Sequence, residues 1–131
     1  MDLDKIRHSA SHVLAYAVRK IYPEVKLGMG PAIEEGFYYD FDNLSIKEED
    51  LAKIEEAMKA IIKANHKFNF KKITRKEAQS LFKDQLYKLE LLKDLKDNEI
   101  SIYQSGDFTD LCKGPHVNSM NEIKSFKLLR I

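Results

Sequence analysis

Apolar residues recur every three or four positions from the start of the chain. Leu3, Ile6, Ala10, Val13, Leu14, Ala17, Val18 and Ile21 fall on one stripe, and Pro23 ends the run. The pattern predicts an amphipathic helix over residues 3–22. At about 100° per residue, His8 and His12 project almost opposite the centre of that stripe, beside Ala15 and Arg19. They are therefore not expected among ordinary core side chains. The next segment, KLGMGPAIEEGFYYDFD (26–42), breaks at Gly30, Pro31 and Gly36 and carries a run of aromatics, which reads as two short strands meeting at a turn.

Ser45 and Glu48 have the spacing of a capping box ahead of Leu51, Ile54, Met58, Ile61 and Ile62, so a second long helix is predicted there. HKFNFKKI (66–73) alternates as a strand does. Thr74 and Glu77 repeat the capping-box spacing and lead into Ala78, Leu81 and Phe82. YKLELLKDL (87–95) reads as helical, although its short apolar run also fits a strand. From Ile100 the strand pattern returns in EISIYQSGDFTDLC, followed by a GPH turn and a last predicted strand, SFKLLRI (125–131). The elements do not alternate as βαβ units, which favours an α+β domain over a doubly wound sheet.

A chain of 131 residues fits one domain of ordinary size, and 44% hydrophobic with 33% charged residues is a globular composition, not a disordered one. No apolar run approaches the roughly 20 residues of a membrane-spanning helix. The opening MDLDKIRH has no apolar signal region, so a reducing, cytoplasmic setting is the expectation. Cys112 is the single cysteine, and its chemistry would be that of a thiol and not of an internal disulfide. A net charge of +1 argues against a protein that grips nucleic acid by bulk charge. Charge is nevertheless uneven. Residues 48–56 are acidic, whereas 63–76 carry Lys63, Lys67, Lys71, Lys72, Arg75 and Lys76 around two phenylalanines, a stretch that reads either as a solvated face or as a local phosphate contact. His66, within it, looks incidental.

TDLCKGPHV places Asp110, Cys112 and His116 within seven residues around a turn forced by Gly114 and Pro115. HxxxH (His8, His12) and CxxxH (Cys112, His116) together are four ligands of the types zinc takes. The wide separation of the two halves excludes a zinc finger of local spacing, so only the tertiary fold could join them. Each half alone has a plain reading, as solvated histidines or a buried thiol. An aspartate, a cysteine and a histidine around an enforced turn make poor core and needlessly reactive surface, which favours a functional site.

RHSASHVLAYAV, GPAIEEGFYYDFD, YKLEL and DFTDLCKGPHV, in that order, resemble the editing domain of bacterial-type threonyl-tRNA synthetase, within a superfamily shared with the alanyl-tRNA synthetase editing domain and its freestanding relatives. The resemblance implies an α+β fold with a central helix wrapped by a curved antiparallel sheet and further helices flanking it. It implies a single editing domain, residues 1–131, excised from a longer synthetase and unable to aminoacylate, since no nucleotide-binding motif is present. The implied activity is hydrolysis of mischarged seryl-tRNA(Thr) by water attack on the ester, with the tRNA(Thr) acceptor end and the parent catalytic core as partners. By motif, the editing residues would be His8, His12, Lys88, Asp110, Cys112 and His116, and Gly30 and Tyr39 would line the pocket for the seryl moiety and terminal adenosine. Imidazoles suit the proton transfers, Lys88 would offer charge to the oxyanion or place the water, and Asp110 would orient a histidine or bind the seryl amine. No metal is expected in the threonyl branch. In the alanyl branch zinc would be held by His8, His12, Cys112 and His116. Lys113 departs from the arginine common in the motif, which keeps the charge and loses the bidentate fork. The competing readings are a freestanding alanyl-type zinc-dependent hydrolase and a non-catalytic zinc or RNA-binding module.

Overall fold

In the computed structural model, the described residues are 3–130 without Pro31, Glu34, Glu35, residues 112–116 and Asn118, and for Ala32 and Ile33 the backbone alone is described. The N-terminal apolar stripe folds as α1 (Leu3–Ile21), with Asp4 in its first turn and Arg19 and Lys20 in its last, charges that complement the helix dipole. Val13, Ala17 and Val18 are buried in the main core. Ser9, Ser11, His12 and Ala15 are buried as well, on faces the stripe does not cover. The helix is central: α2 and a strand hairpin pack on it, and Tyr16 stacks on Phe108 of the sheet at 5.3 Å between ring centroids.

The predicted pair of short strands is a hairpin in two antiparallel parts. β1 (Lys26–Leu27) pairs with β4 (Phe41–Asp42), and β2 (Ala32–Ile33) pairs with β3 (Gly36–Phe37). Backbone bonds from Gly28 N to Asp40 O and from Asp40 N to Met29 O, both 2.8 Å, join the two parts. The second helix, α2, runs Asp50–Ala64, and its start differs from the expected Ser45–Glu48 capping box. Lys47 N donates to the Asp50 carboxylate at 2.8 Å, so the aspartate at the first helical position satisfies the entering backbone instead. Asn65 closes the helix in the left-handed conformation, φ 54°.

The basic segment contributes β5 (Asn69–Lys72), shorter than the predicted strand, with Lys67 forming an isolated bridge to Ser119. α3 (Arg75–Leu81) opens on the full capping box: Thr74 Oγ1 accepts from Glu77 N at 3.1 Å, and the Glu77 carboxylate accepts from Thr74 N at 3.3 Å. Residues 87–95 are helical, in α4 (Leu86–Lys93). A 3-10 turn at Asp97–Glu99 leads into β6 (Ser101–Ser105) and β7 (Phe108–Leu111). Gly106 supplies the left-handed φ of 57° that the tight turn between them requires. β5, β6 and β7 form a three-stranded antiparallel sheet, with Phe70, Tyr103 and Asp110 in cross-strand register.

The predicted C-terminal strand is not one. The described part of SFKLLRI has no strand partner and lies against α2, where Leu128 N donates to the Glu55 carboxylate at 2.7 Å in place of a ladder bond. Phe126 and Leu128 pack on the main core. A second cluster of Ile73, Ala78, Phe82, Leu92, Ile100 and Ile102 fills the space between α3, α4 and the sheet. The architecture is α+β, its strands divided among small antiparallel sheets. Among the described residues, no helix is long and apolar enough to cross a membrane.

Candidate functional site

Four elements converge on one carboxylate. Asp110 comes from β7, His12 from α1, Lys88 from α4 and Tyr39 from the strand hairpin. Asp110 Oδ1 takes Lys88 Nζ at 2.7 Å and Leu111 N at 2.8 Å. Its Oδ2 takes His12 Nδ1 and the Tyr39 hydroxyl, each at 2.9 Å. Lys88 Nζ also donates to the Tyr39 oxygen at 2.9 Å, which closes a ring of hydrogen bonds among three side chains. All four residues are buried, with Asp110 only 1% and Lys88 2% exposed.

Burying a carboxylate disfavours its charged form, and that is the largest influence on Asp110. Here the Lys88 ammonium, then the His12 ring and their hydrogen bonds, outweigh it together and hold the carboxyl well below the usual carboxylate range. Asp110 is therefore an acceptor at each oxygen, which fixes its neighbours' roles. The Tyr39 hydroxyl donates to it, and the His12 proton sits on Nδ1. His12 Nε2 then faces outward along α1. His8, four residues earlier and so on the same helix face, presents its own Nε2 at 3.3 Å, with the ring centroids 4.9 Å apart. In the neutral pair the His8 Nε2–H donates to His12 Nε2. His12 is buried and His8 partly exposed, so His8 is the one of the two that meets solvent.

The helix is positioned by its small residues. Ser11 Oγ bonds the Gly30 carbonyl at 2.6 Å, and Ser9 Oγ accepts from Val117 N at 2.9 Å. The short side chains of Ser9, Ala10 and Ser11 thus let the hairpin and the chain beyond β7 approach α1. Gly30 itself lies flat against Tyr39: a Cβ there would meet Tyr39 Cδ2 at 2.3 Å and the Tyr38 carbonyl oxygen at 2.5 Å.

Of the residues singled out from sequence, the fold brings His8, His12, Tyr39, Lys88 and Asp110 into one hydrogen-bonded group, with Gly30 against Tyr39. Cys112 and His116 lie outside the described residues. The roles of Ser9 and Ser11 as ties, beyond their smallness, could not be read from sequence, because their partners are 108 and 19 positions away. Two imidazoles on one tetrahedral zinc, each bonded at about 2.0–2.1 Å, have nitrogens about 3.3–3.4 Å apart. The 3.3 Å separation of the His8 and His12 Nε2 atoms therefore also matches half of such a site. Among the described residues, no group of three or more ligand-type side chains is placed to hold a metal.

Residues 100–131 match the family described as the threonyl and alanyl tRNA synthetase second additional domain. Over nearly all of its length the chain is similar to threonine–tRNA ligases. It is 51% identical to that of Dehalococcoides mccartyi over 131 residues, covering 99% of this chain and 22% of the relative. For Thermotoga maritima the identity is 52% over 129 residues, covering 95% and 20%. For Clostridium botulinum it is 53% over 129 residues, covering 97% and 20%. The chain thus spans about a fifth of the length of these relatives.

Proposed function

We propose that this chain, which belongs to the family of the threonyl and alanyl tRNA synthetase second additional domain, is an editing domain of a longer threonyl-tRNA synthetase that hydrolyses seryl-tRNA(Thr). The observation that carries the reading is the buried Asp110–His12 pair with His8 in front of it. A carboxylate that fixes one imidazole's tautomer, with a second imidazole on its far side, is an arrangement for moving a proton near neutral pH. Ester hydrolysis needs such a transfer twice, from the attacking water and to the departing ribose oxygen. His8 exchanges the proton with the reacting groups, His12 shares it, and Asp110 holds the balancing charge. Lys88 fixes Asp110 and Tyr39 through its bonds at 2.7 and 2.9 Å, and its charge balances the buried carboxylate.

The need for such a site is physical. A synthetic site that selects threonine can reject serine by only about 1–3 kcal/mol, the worth of one methyl group, so a second site must remove the error. tRNA(Thr) bearing serine is the substrate, the parent catalytic core is the partner, and the setting is the cytoplasm. His8→Ala is expected to lower the rate of serine release from seryl-tRNA(Thr) by about 10²–10⁴-fold. Its melting temperature should stay close to that of the parent, because His8 is partly exposed. Unchanged serine release would remove His8 from the chemistry.

The separation of the two Nε2 atoms also supports a zinc hydrolase, in which His8 and His12, with Cys112 and His116, would hold an ion that polarises water. Stoichiometric zinc retained through purification, with activity lost on chelation and restored by zinc, would favour that reading.

A further inference from the structure

Cross-strand partners point their side chains to the same face of a sheet, so Phe70, Tyr103 and Asp110 form one row across β5, β6 and β7. The row begins at the buried carboxylate and ends at β5, the edge strand of this sheet among the described residues. Asp110 is buried, Tyr103 partly exposed and Phe70 48% exposed, with the Phe70 and Tyr103 rings 5.2 Å apart and tilted by 51°. Two strand spacings of about 4.8 Å put Phe70 about 10 Å from Asp110 along the ladder. Lys72 lies on the same face of β5 as Phe70, two residues on.

The charge around this edge is mostly positive, with Glu77 the exposed acid of residues 63–77 and Lys71 on the opposite face of β5 from Phe70. Lys63, Lys67, Lys71, Lys72 and Lys76 are exposed. Arg75 serves the fold instead, bonding Asp97 at 2.9 Å and the Leu92 carbonyl at 2.6 Å. An exposed Phe70 and a partly exposed Tyr103 beside Lys72, on the sheet face that carries Asp110, make a surface suited to single-stranded nucleic acid: a base stacks on the rings and a phosphate meets the ammonium group.

We propose that Phe70 and Tyr103 form a stacking platform for an unpaired nucleotide upstream of the terminal adenosine of the tRNA acceptor end, with Lys72 beside it for the phosphate. The inference rests on the reading of the site as one for an aminoacyl-tRNA ester. It adds a second subsite, which holds the strand while the ester reaches His8. A protein surface of a larger synthetase is the competing occupant of the same face.

Fluorescence titration with a tetranucleotide ending in CCA, and separately with adenosine, tests the platform. Phe70→Ala is expected to weaken binding of the tetranucleotide about 5- to 150-fold, the worth of one stacked base, and to leave adenosine binding unchanged. Phe70→Tyr should bind as the parent does. Equal tetranucleotide binding by parent and Phe70→Ala, or no binding by the parent, overturns the platform and points to a protein on this face. The two readings fail separately. Serine release from seryl-tRNA(Thr) that is indifferent to Phe70→Ala sinks the platform and spares the hydrolase. Phe70-dependent binding without serine release spares the platform and sinks the hydrolase.

Discussion

Asp110→Asn is expected to cost the fold about 3–5 kcal/mol, because it leaves the Lys88 ammonium buried without its counter-charge. It also removes the charge that fixes the His12 tautomer, so the rate of serine release should fall by about 10²–10⁴-fold even where the variant is folded. Urea unfolding and single-turnover deacylation measure the two effects separately. The folded-state carboxyl lies below its ordinary value. Its contribution to stability is therefore present above the unfolded value of about 3.9 and is lost as pH falls through the lower folded one. The parent should weaken progressively below about pH 4, and Asp110→Asn should lack that part of the slope. Lys88→Met keeps the aliphatic stem and strands the opposite charge. Combined with Asp110→Asn, it should destabilise less than the sum of the two, by about 1–3 kcal/mol, because no charge then remains unpaired. Hydrolysis should stay lost in the double variant. Restored stability without restored activity would separate the structural role of the pair from its chemical one.

The second large effect is expected at Gly30. In Gly30→Ala the new methyl would stand 2.3 Å from Tyr39 Cδ2 and 2.5 Å from the Tyr38 carbonyl oxygen, against ordinary carbon contacts of about 3.5–4.0 Å. The carbonyl is backbone, so the hairpin itself must shift to relieve that contact, and the Tyr39 ring must move as well. Its hydroxyl would then leave Asp110 and Lys88, both now at 2.9 Å. A loss of about 1–3 kcal/mol in thermal unfolding is expected from the overpacking. A fall in serine release should accompany it. Tyr39→Phe, which removes the hydroxyl and keeps the ring, should reproduce the kinetic loss with a smaller change in melting temperature. If Gly30→Ala is as stable and active as the parent, the close packing of hairpin on Tyr39 is not what holds the site together.

Local chemistry was legible in the sequence where it was sufficient by itself. The aliphatic stripe of α1 and the Thr74–Glu77 box both report contacts within a turn or two, and both elements form as read. The Ser45–Glu48 spacing failed because Asp50 offers a carboxylate to Lys47 N and starts the helix later. The terminal SFKLLRI alternates like a strand, but alternation cannot supply a partner, and Glu55 takes the backbone bond instead. The site was legible as a set of residue types and not as an arrangement. Periodicity put His12 opposite the apolar stripe, yet His12 is 5% exposed, because the sheet and hairpin cover that side of α1 as well. The contacts of Asp110 with Lys88 and Tyr39 span 22 and 71 positions, distances at which only the fold decides who meets whom.

Parallel deacylation of seryl-tRNA(Thr) and threonyl-tRNA(Thr) by this chain decides whether the Asp110–His12–His8 group serves an ester-hydrolysing sieve. Serine should be released at least about tenfold faster than threonine, the discrimination that one methyl group can give in a steric sieve. Equal release of both amino acids, or release of neither, would contradict it.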